Sequence, residues 1–165
     1  AIGFSSALLS MVGQNYGAKN FDRIYRAFII SLRISIYMMI FGACILFFAG
    51  ETIALLFSRD KNVIMIAGNY LFMAAFLCFI YQIIDRSDSV LSGMRKPIVN
   101  VIYTFIRLVM LPPFVIYLFS ENLKYGLNGI WWAIFTTNAF GSVLIYISMR
   151  YLYKKEYNKN LIKIT

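Results

Sequence analysis

Four long apolar runs constrain the fold of this chain more than any other feature of its sequence. They extend over residues 27–50, 62–84, 98–119 and 127–149. A helix needs about 20 consecutive apolar residues to cross the hydrocarbon core of a bilayer, and each run reaches that length. The uncharged stretch over residues 1–18 adds the end of a fifth span. The sequence therefore predicts an all-α, polytopic transmembrane helical bundle with four full spans and one partial span.

The composition excludes a soluble domain and gives little support to an enzyme. Hydrophobic residues make up 61% of the chain and charged residues 14%, whereas soluble domains carry about 25% charged residues. Histidine is absent, and Cys44 and Cys78 lie inside apolar runs without a neighbouring cysteine. Such cysteines usually pack as small apolar side chains. We therefore expect no metal, no cofactor and no catalytic residue.

The basic residues lie in the links between the runs, which favours membrane topology over nucleic-acid binding. Short links force neighbouring spans to be antiparallel, so alternate links share a side. One side carries Lys19, Arg23, Arg26, Arg95 and Lys96, and also the basic residues after residue 149. By the positive-inside rule that side is cytoplasmic. The sequence predicts a multi-pass protein of the cell membrane with a cytoplasmic C-terminus and no nucleic-acid partner.

Four short motifs follow one another along the chain. They read GQNYGAKN over residues 13–20, LLFSRD over 55–60, VLSGMRKP over 90–97 and YGLNGIWWA over 125–133. At these motifs the sequence resembles the MATE (multidrug and toxic compound extrusion) family. The resemblance implies half of a twelve-helix, two-lobe transporter. Residues 1–153 would be helices eight (partial) to twelve of the C-terminal lobe, residues 154–165 would be a basic cytoplasmic tail, and the N-terminal lobe of the same polypeptide would be the missing partner.

The glycines and prolines of these motifs also have structural interpretations of their own. Spaced glycines on one face of a transmembrane helix let a neighbouring helix approach closely. A glycine followed by a proline ends one helix and starts the next. The motif residues to which we assign structural roles are Gly13, Gln14, Gly17, Gly93, Pro97 and Gly129.

A cluster of charges, Asp85-Arg86-Ser87-Asp88, follows the uncharged second run. If the helix continues to Gly93, a polar stripe of Cys78, Tyr81, Gln82, Asp85, Asp88 and Ser92 forms at steps of three and four residues. Charges inside a membrane normally face a partner or water. Arg107 lies at a similar estimated depth, so we expect it to pair with Asp85. The alternative is that a hairpin starts at Asp85 and these residues are solvated. The candidate transport or ion-coupling residues are Tyr81, Gln82, Asp85, Asp88 and Arg107.

The resemblance implies a secondary active transporter. It would export amphipathic or cationic drugs and toxic compounds in exchange for sodium ions or protons, with membrane lipid around it. The alternative is a lipid-linked oligosaccharide flippase of a related two-lobe fold, for which Arg33, Arg86 and Arg107 would line the cavity. A third class, a membrane subunit that transports nothing, is disfavoured only by analogy of fold.

Overall fold

The computed structural model of this chain consists of long α-helices joined by short turns, and it describes residues 2–57, 59–119 and 126–164. No strand occurs within these ranges. A π-helical turn, Ile106–Met110, joins the fourth helix to the fifth. The α-helices are α1 (Ile2–Gly17), α2 (Phe21–Leu55), α3 (Lys61–Gly93), α4 (Pro97–Phe105), α5 (Leu111–Tyr117) and α6 (Gly126–Ile164).

The four predicted spans are confirmed. The segments long and apolar enough to cross a membrane are Phe21–Gly50, Lys61–Gly93, Pro97–Tyr117 and Gly129–Asn158. The third of these contains α4, the π turn and α5, which together replace one regular helix. α1 occupies the position of the predicted partial span.

α3 forms the centre of the bundle, since α1, α2 and α6 all pack against it. The outer surface carries large apolar side chains, such as Phe48, which is 83% exposed. Water would disfavour such a surface, whereas lipid accommodates it. The inner core draws on all four helices and includes Leu8, Val12, Ile24, Phe28, Ile84, Leu91, Ile145 and Met149.

The α3–α4 hairpin begins and ends where the sequence predicted. α3 ends at Gly93 and Pro97 starts α4. The residue that takes the left-handed conformation is Arg95, at φ 61°, and not Gly93. The backbone N–H of Lys96 bonds to the carbonyl of Leu91 at 3.0 Å, which satisfies one of the last carbonyls of α3.

Gly93 instead permits a close approach between α1 and α3. A Cβ at this position would lie 2.7 Å from the Cβ of Val12 on α1. A Cβ on Gly13 would meet only the Gly93 carbonyl, at 3.9 Å, and one on Gly17 would meet no described atom within 4 Å. We predicted that Gly13 and Gly17 of α1 let a neighbouring helix approach closely. Within the described residues, the glycine that lets α1 and α3 approach is Gly93 of α3.

α1 ends in a turn that involves the Gln14 carbonyl and the backbone of Lys19. The Gln14 carbonyl accepts a hydrogen bond from the N–H of Ala18 at 3.1 Å, and Lys19 adopts φ 58°. Asn20 then caps α2, because its Oδ1 accepts from the N–H of Arg23 at 3.4 Å. The GQNYGAKN motif is thus a helix end followed by a helix start.

The two prolines of the third span lie at the start of α5, one residue after the π turn. Pro112 and Pro113 have no N–H to donate to a preceding carbonyl. The N–H of Leu111 bonds to the carbonyl of Ile106, five residues earlier. The π turn changes the backbone hydrogen-bond pattern just before the prolines, and the span continues as α5.

α6 passes through the predicted boundary at residue 153 without a break in the helix. Its extension packs against the bundle. The Tyr153 hydroxyl donates to the carbonyl of Phe21 at 3.0 Å, and Lys96 Nζ lies 2.7 Å from Glu156 Oε1. Ser58 and Tyr125, in the second and fourth motifs, lie outside the described residues.

Candidate ion-coupling site

The acidic residues of the predicted stripe belong to a spanning helix. α3 continues through Asp85 and Asp88 to Gly93, so neither carboxylate lies on the following turn. Both side chains are half-buried. The hairpin that the alternative interpretation placed at Asp85 therefore begins about two turns later.

Asp85 and Asp88 line an open cleft of about 260 Å³ between α1 and α3. Their neighbours come at helical spacing from both helices, so each helix presents one polar face to the cleft. The other lining residues are Ser5, Ser6 and Leu9 of α1 and Ser89 and Ser92 of α3. The wall thus offers carboxylate and hydroxyl oxygens, which are the ligands that hard cations prefer.

Asp88 also connects α3 to α4 through Asn100. With the Asn100 amide nitrogen facing Asp88, it donates to the two carboxylate oxygens at 2.7 and 3.2 Å. Thr104 Oγ1 lies 3.2 Å from the same amide. The opposite amide orientation would turn an acceptor toward Asp88 and would require that carboxyl to carry a proton. The Asn100 amide therefore supplies a donor to the ionised form of the Asp88 carboxyl.

Gln82 holds an arginine and does not line the cleft. Its Oε1 accepts from Arg86 Nη2 at 3.0 Å, and Ser5 Oγ accepts from Arg86 Nη1 at 3.1 Å. Arg86 is fully buried and Gln82 is 3% exposed. This cation is thus enclosed between α1 and α3, close in sequence to both carboxylates.

The predicted ion pair between Asp85 and Arg107 is wrong. The structure records no such pair between these two described residues. Arg107 Nη1 instead donates to Asn138 Oδ1 on α6 at 2.6 Å. Its guanidinium lies 5.9 Å from the ring centroid of Tyr81 and 5.8 Å from that of Tyr103, within cation–π range. Arg107 therefore makes a cation–π contact with Tyr81, on the side of α3 that faces α4 and α6.

Gly141 makes room for this arginine. A Cβ at Gly141 would lie 2.9 Å from Arg107 Cδ and would also meet the Tyr103 hydroxyl. Neither Gly141 nor Asn138 was predicted from the sequence. The signal that could have found Asn138 is an amide in an otherwise apolar span, which needs a polar partner.

Three further polar residues at the site were missed. Ser5 and Ser6 lie in the short α1 segment, where hydroxyls are too common to be diagnostic. Asn100 lies one turn into the third span. As for Asn138, an amide in an apolar span indicates a polar partner. Among the described residues, no group of three or more His, Cys, Asp or Glu side chains could hold a metal ion.

The helices and the polar residues inside them define a multi-pass helical membrane protein with an oxygen-lined cleft in its bundle. Residues 1–118 match the MatE family model. The chain belongs to the MatE family, as the motifs predicted.

Similar proteins support this assignment. The chain is 24% identical over 152 residues to a probable multidrug resistance protein NorM of Bacillus licheniformis, covering 88% of this chain and 32% of that protein. It superposes on a MATE structure in the bent conformation with a TM-score of 0.88, at 16% identity over 96% of this chain and 35% of the other. A transporter of the MOP superfamily from Pyrococcus furiosus gives a TM-score of 0.85 at 18% identity, covering 94% of this chain and 35% of that chain.

The chain spans about a third of the length of these relatives. Proteins of this family are transporters, so the prediction that the chain is not from an enzyme is confirmed at the level of the family. The matching relative is named for multidrug resistance, and the comparisons do not favour the oligosaccharide flippase.

Proposed function

We propose that this chain forms part of the C-terminal lobe of an exporter that expels amphipathic or cationic compounds in exchange for sodium ions or protons. The observation that carries this proposal is the cleft between α1 and α3, with two half-buried carboxylates and four serine hydroxyls. Secondary transporters place coupling-ion sites between spanning helices, where carboxylates and other oxygens face a cavity. The second lobe, on the same polypeptide, would complete the substrate cavity.

The depth of Asp85 supports a role in coupling. Val90 and Met149 line one cavity near the end of the last apolar run, where Arg150 follows. Asp85 lies five residues before Val90 on α3, which places it about 7.5 Å deeper along the helix. Ionisable groups at such depth are costly and mark ion or substrate pathways.

Asp85 and Asp88 would act together. A sodium ion would use the carboxylates and serine hydroxyls of the cleft as ligands. A proton would instead reside on one carboxyl, and the Asn100 amide could rotate to follow the protonation of Asp88. Arg86, enclosed on the same helix, would offset one of the two negative charges of the emptied site.

We also propose that the Lys19–Arg26 link, the Arg95–Lys96 turn and the C-terminal extension of α6 are cytoplasmic in the cell membrane. The basic side chains concentrate on these three segments, as the positive-inside rule requires.

The decisive experiment compares acidic residues in the full-length transporter that contains this chain. Asp85→Asn and Asp88→Asn should each lower coupled efflux of a fluorescent cation by about fivefold or more, the lower range of coupling between linked sites. Asp22→Asn is the control, because Asp22 is an exposed residue on the first turn of α2. Transport at the wild-type rate by both cleft variants would exclude these residues from coupling.

The coupling ion is identified in the same proteoliposomes. Efflux driven by a sodium gradient at equal pH on both sides would assign sodium. Efflux driven only by a pH gradient would assign the proton.

A further inference from the structure

A groove extends between α2 and α6, away from the ion-coupling cleft. It consists of a cavity of about 230 Å³ and a cavity of about 250 Å³, which share Phe28 and Tyr146 in their linings. Both helices pack on α3, which contributes Val90 to one cavity and Ile83 to the other. From Ser142 to Lys154 on α6 the groove is about 18 Å long, slightly more than half of the roughly 30 Å hydrocarbon core.

The two ends of the groove differ in chemistry. Ile29, Leu32, Ile83 and Val143 make the deeper cavity largely apolar. At the other end, Arg150 and Lys154 line the mouth. Both are exposed, and they lie one turn apart on the same face of α6.

Tyrosines frame this basic mouth. The rings of Tyr25 and Tyr153 approach to 6.1 Å across the groove, and Tyr153 is anchored on the Phe21 carbonyl. Tyrosine is enriched at the level of lipid headgroups. No described acidic residue belongs to the lining of either cavity.

This arrangement matches an amphipathic anion. Basic pockets between membrane helices bind anionic headgroups, and the apolar part accepts a hydrocarbon chain. A lone inorganic anion would leave the apolar part unused.

We propose that the groove between α2 and α6 binds one anionic phospholipid, with its phosphate between Arg150 and Lys154 and one acyl chain along Leu32 and Ile83. The lipid fills the space that α2 and α6 leave on α3 and links the two helices where their tyrosines meet. This site is separate from the proposed ion-coupling cleft and does not depend on what the transporter exports.

Native mass spectrometry of the full-length transporter tests the proposal with phosphatidylglycerol and phosphatidylcholine as probes. The wild type should retain phosphatidylglycerol preferentially. Arg150→Gln combined with Lys154→Gln should lower that preference by about 25-fold, from about fivefold for each basic residue. The control, Arg23→Gln with Lys155→Gln, changes the charge equally at exposed positions outside both linings, and should retain the preference. A wild type without preference, or equal losses in variant and control, would overturn the proposal.

A second measurement keeps the native basic residues, so it does not depend on the folding of the double variant. A photoreactive benzoylphenylalanine replaces Leu32 in the otherwise unchanged transporter. Illumination should attach phosphatidylglycerol to this position more often than phosphatidylcholine from an equimolar bilayer. A cross-link to another segment of the polypeptide, or to a second protein, would show that something else covers the groove and would refute the lipid site.

Discussion

At the scale of single residues, the contact between α1 and α3 depends on the absence of one side chain. Val12 is fully buried, and it lies where a Cβ on Gly93 would project. α3, the helix of Gly93, also carries Arg86 and both cleft carboxylates. The spacing of α1 and α3 at this point therefore sets the width of the cleft as well as the packing of the core.

Gly93→Ala should destabilise the transporter by about 1–3 kcal/mol, because the added methyl overpacks a core contact. Thermal unfolding of the purified full-length protein measures the effect. Gly17→Ala is the matched control, since nothing described lies within 4 Å of its added Cβ. Combining Gly93→Ala with Val12→Ala should restore part of the loss. A Gly93→Ala variant as stable as the wild type would contradict the packing described for this contact.

Asn138→Leu should destabilise the protein by about 1–3 kcal/mol, because it leaves the buried Arg107 without the acceptor that it has on α6. Thermal unfolding again provides the measurement. Thr136→Val is the control, since the Thr136 hydroxyl bonds only to carbonyls of its own helix. Arg107→Gln combined with Asn138→Leu should cost less than the sum of the two single changes. Additive losses would show that the two side chains are energetically independent.

Arg107 also shows where inference from the sequence stops. Counting residues at 1.5 Å each predicts how deep a side chain lies, and Asp85 and Arg107 have similar depths by that count. Depth does not give the direction in which a side chain points around its helix. Arg107 lies in a π turn, so the regular spacing of a helix does not predict its direction, and its guanidinium reaches Asn138 instead of Asp85.

At the scale of helices, the sequence predicted far more. Each apolar run became a helical span, the third as α4, the π turn and α5, because length and hydrophobicity decide whether a segment crosses lipid. The turn at residues 94–96 was predicted from a glycine and a proline, although the left-handed residue is Arg95. The cleft was only half predictable. Its α3 wall follows from helical periodicity, whereas the pairing of α3 with Ser5 and Ser6 depends on tertiary packing.

The orientation of the helices gives a third prediction. A cysteine at Asn20, in a protein whose Cys44 and Cys78 have been replaced, should resist an impermeant thiol reagent applied to intact cells, because the basic link is held in the cytoplasm. A cysteine at Asn62, at the opposite end of the second apolar run from the basic α3–α4 turn, should react. Labelling is read by gel shift, with permeabilised cells as the positive control for both positions. The reverse pattern would invert the proposed topology.

At the scale of the whole molecule, the chain spans about a third of its relatives. Residues 1–165 alone, reconstituted into liposomes with a fluorescent cation and an ion gradient, should show no coupled flux, because a cavity between two lobes requires both lobes. The full-length protein in parallel liposomes is the positive control. Flux from the chain alone would mean that transport does not require a second lobe.

The enclosure of Arg86 has a consequence for how the protein is made. A charged arginine within a spanning helix is costly to insert unless it meets a partner or water. Gln82 lies one turn away on the same helix, so it enters the bilayer together with the Arg86 guanidinium. Ser5 belongs to α1, which leaves the ribosome earlier, so the second acceptor is already in the membrane when α3 arrives. The order of synthesis therefore matches the order in which the buried arginine needs its partners.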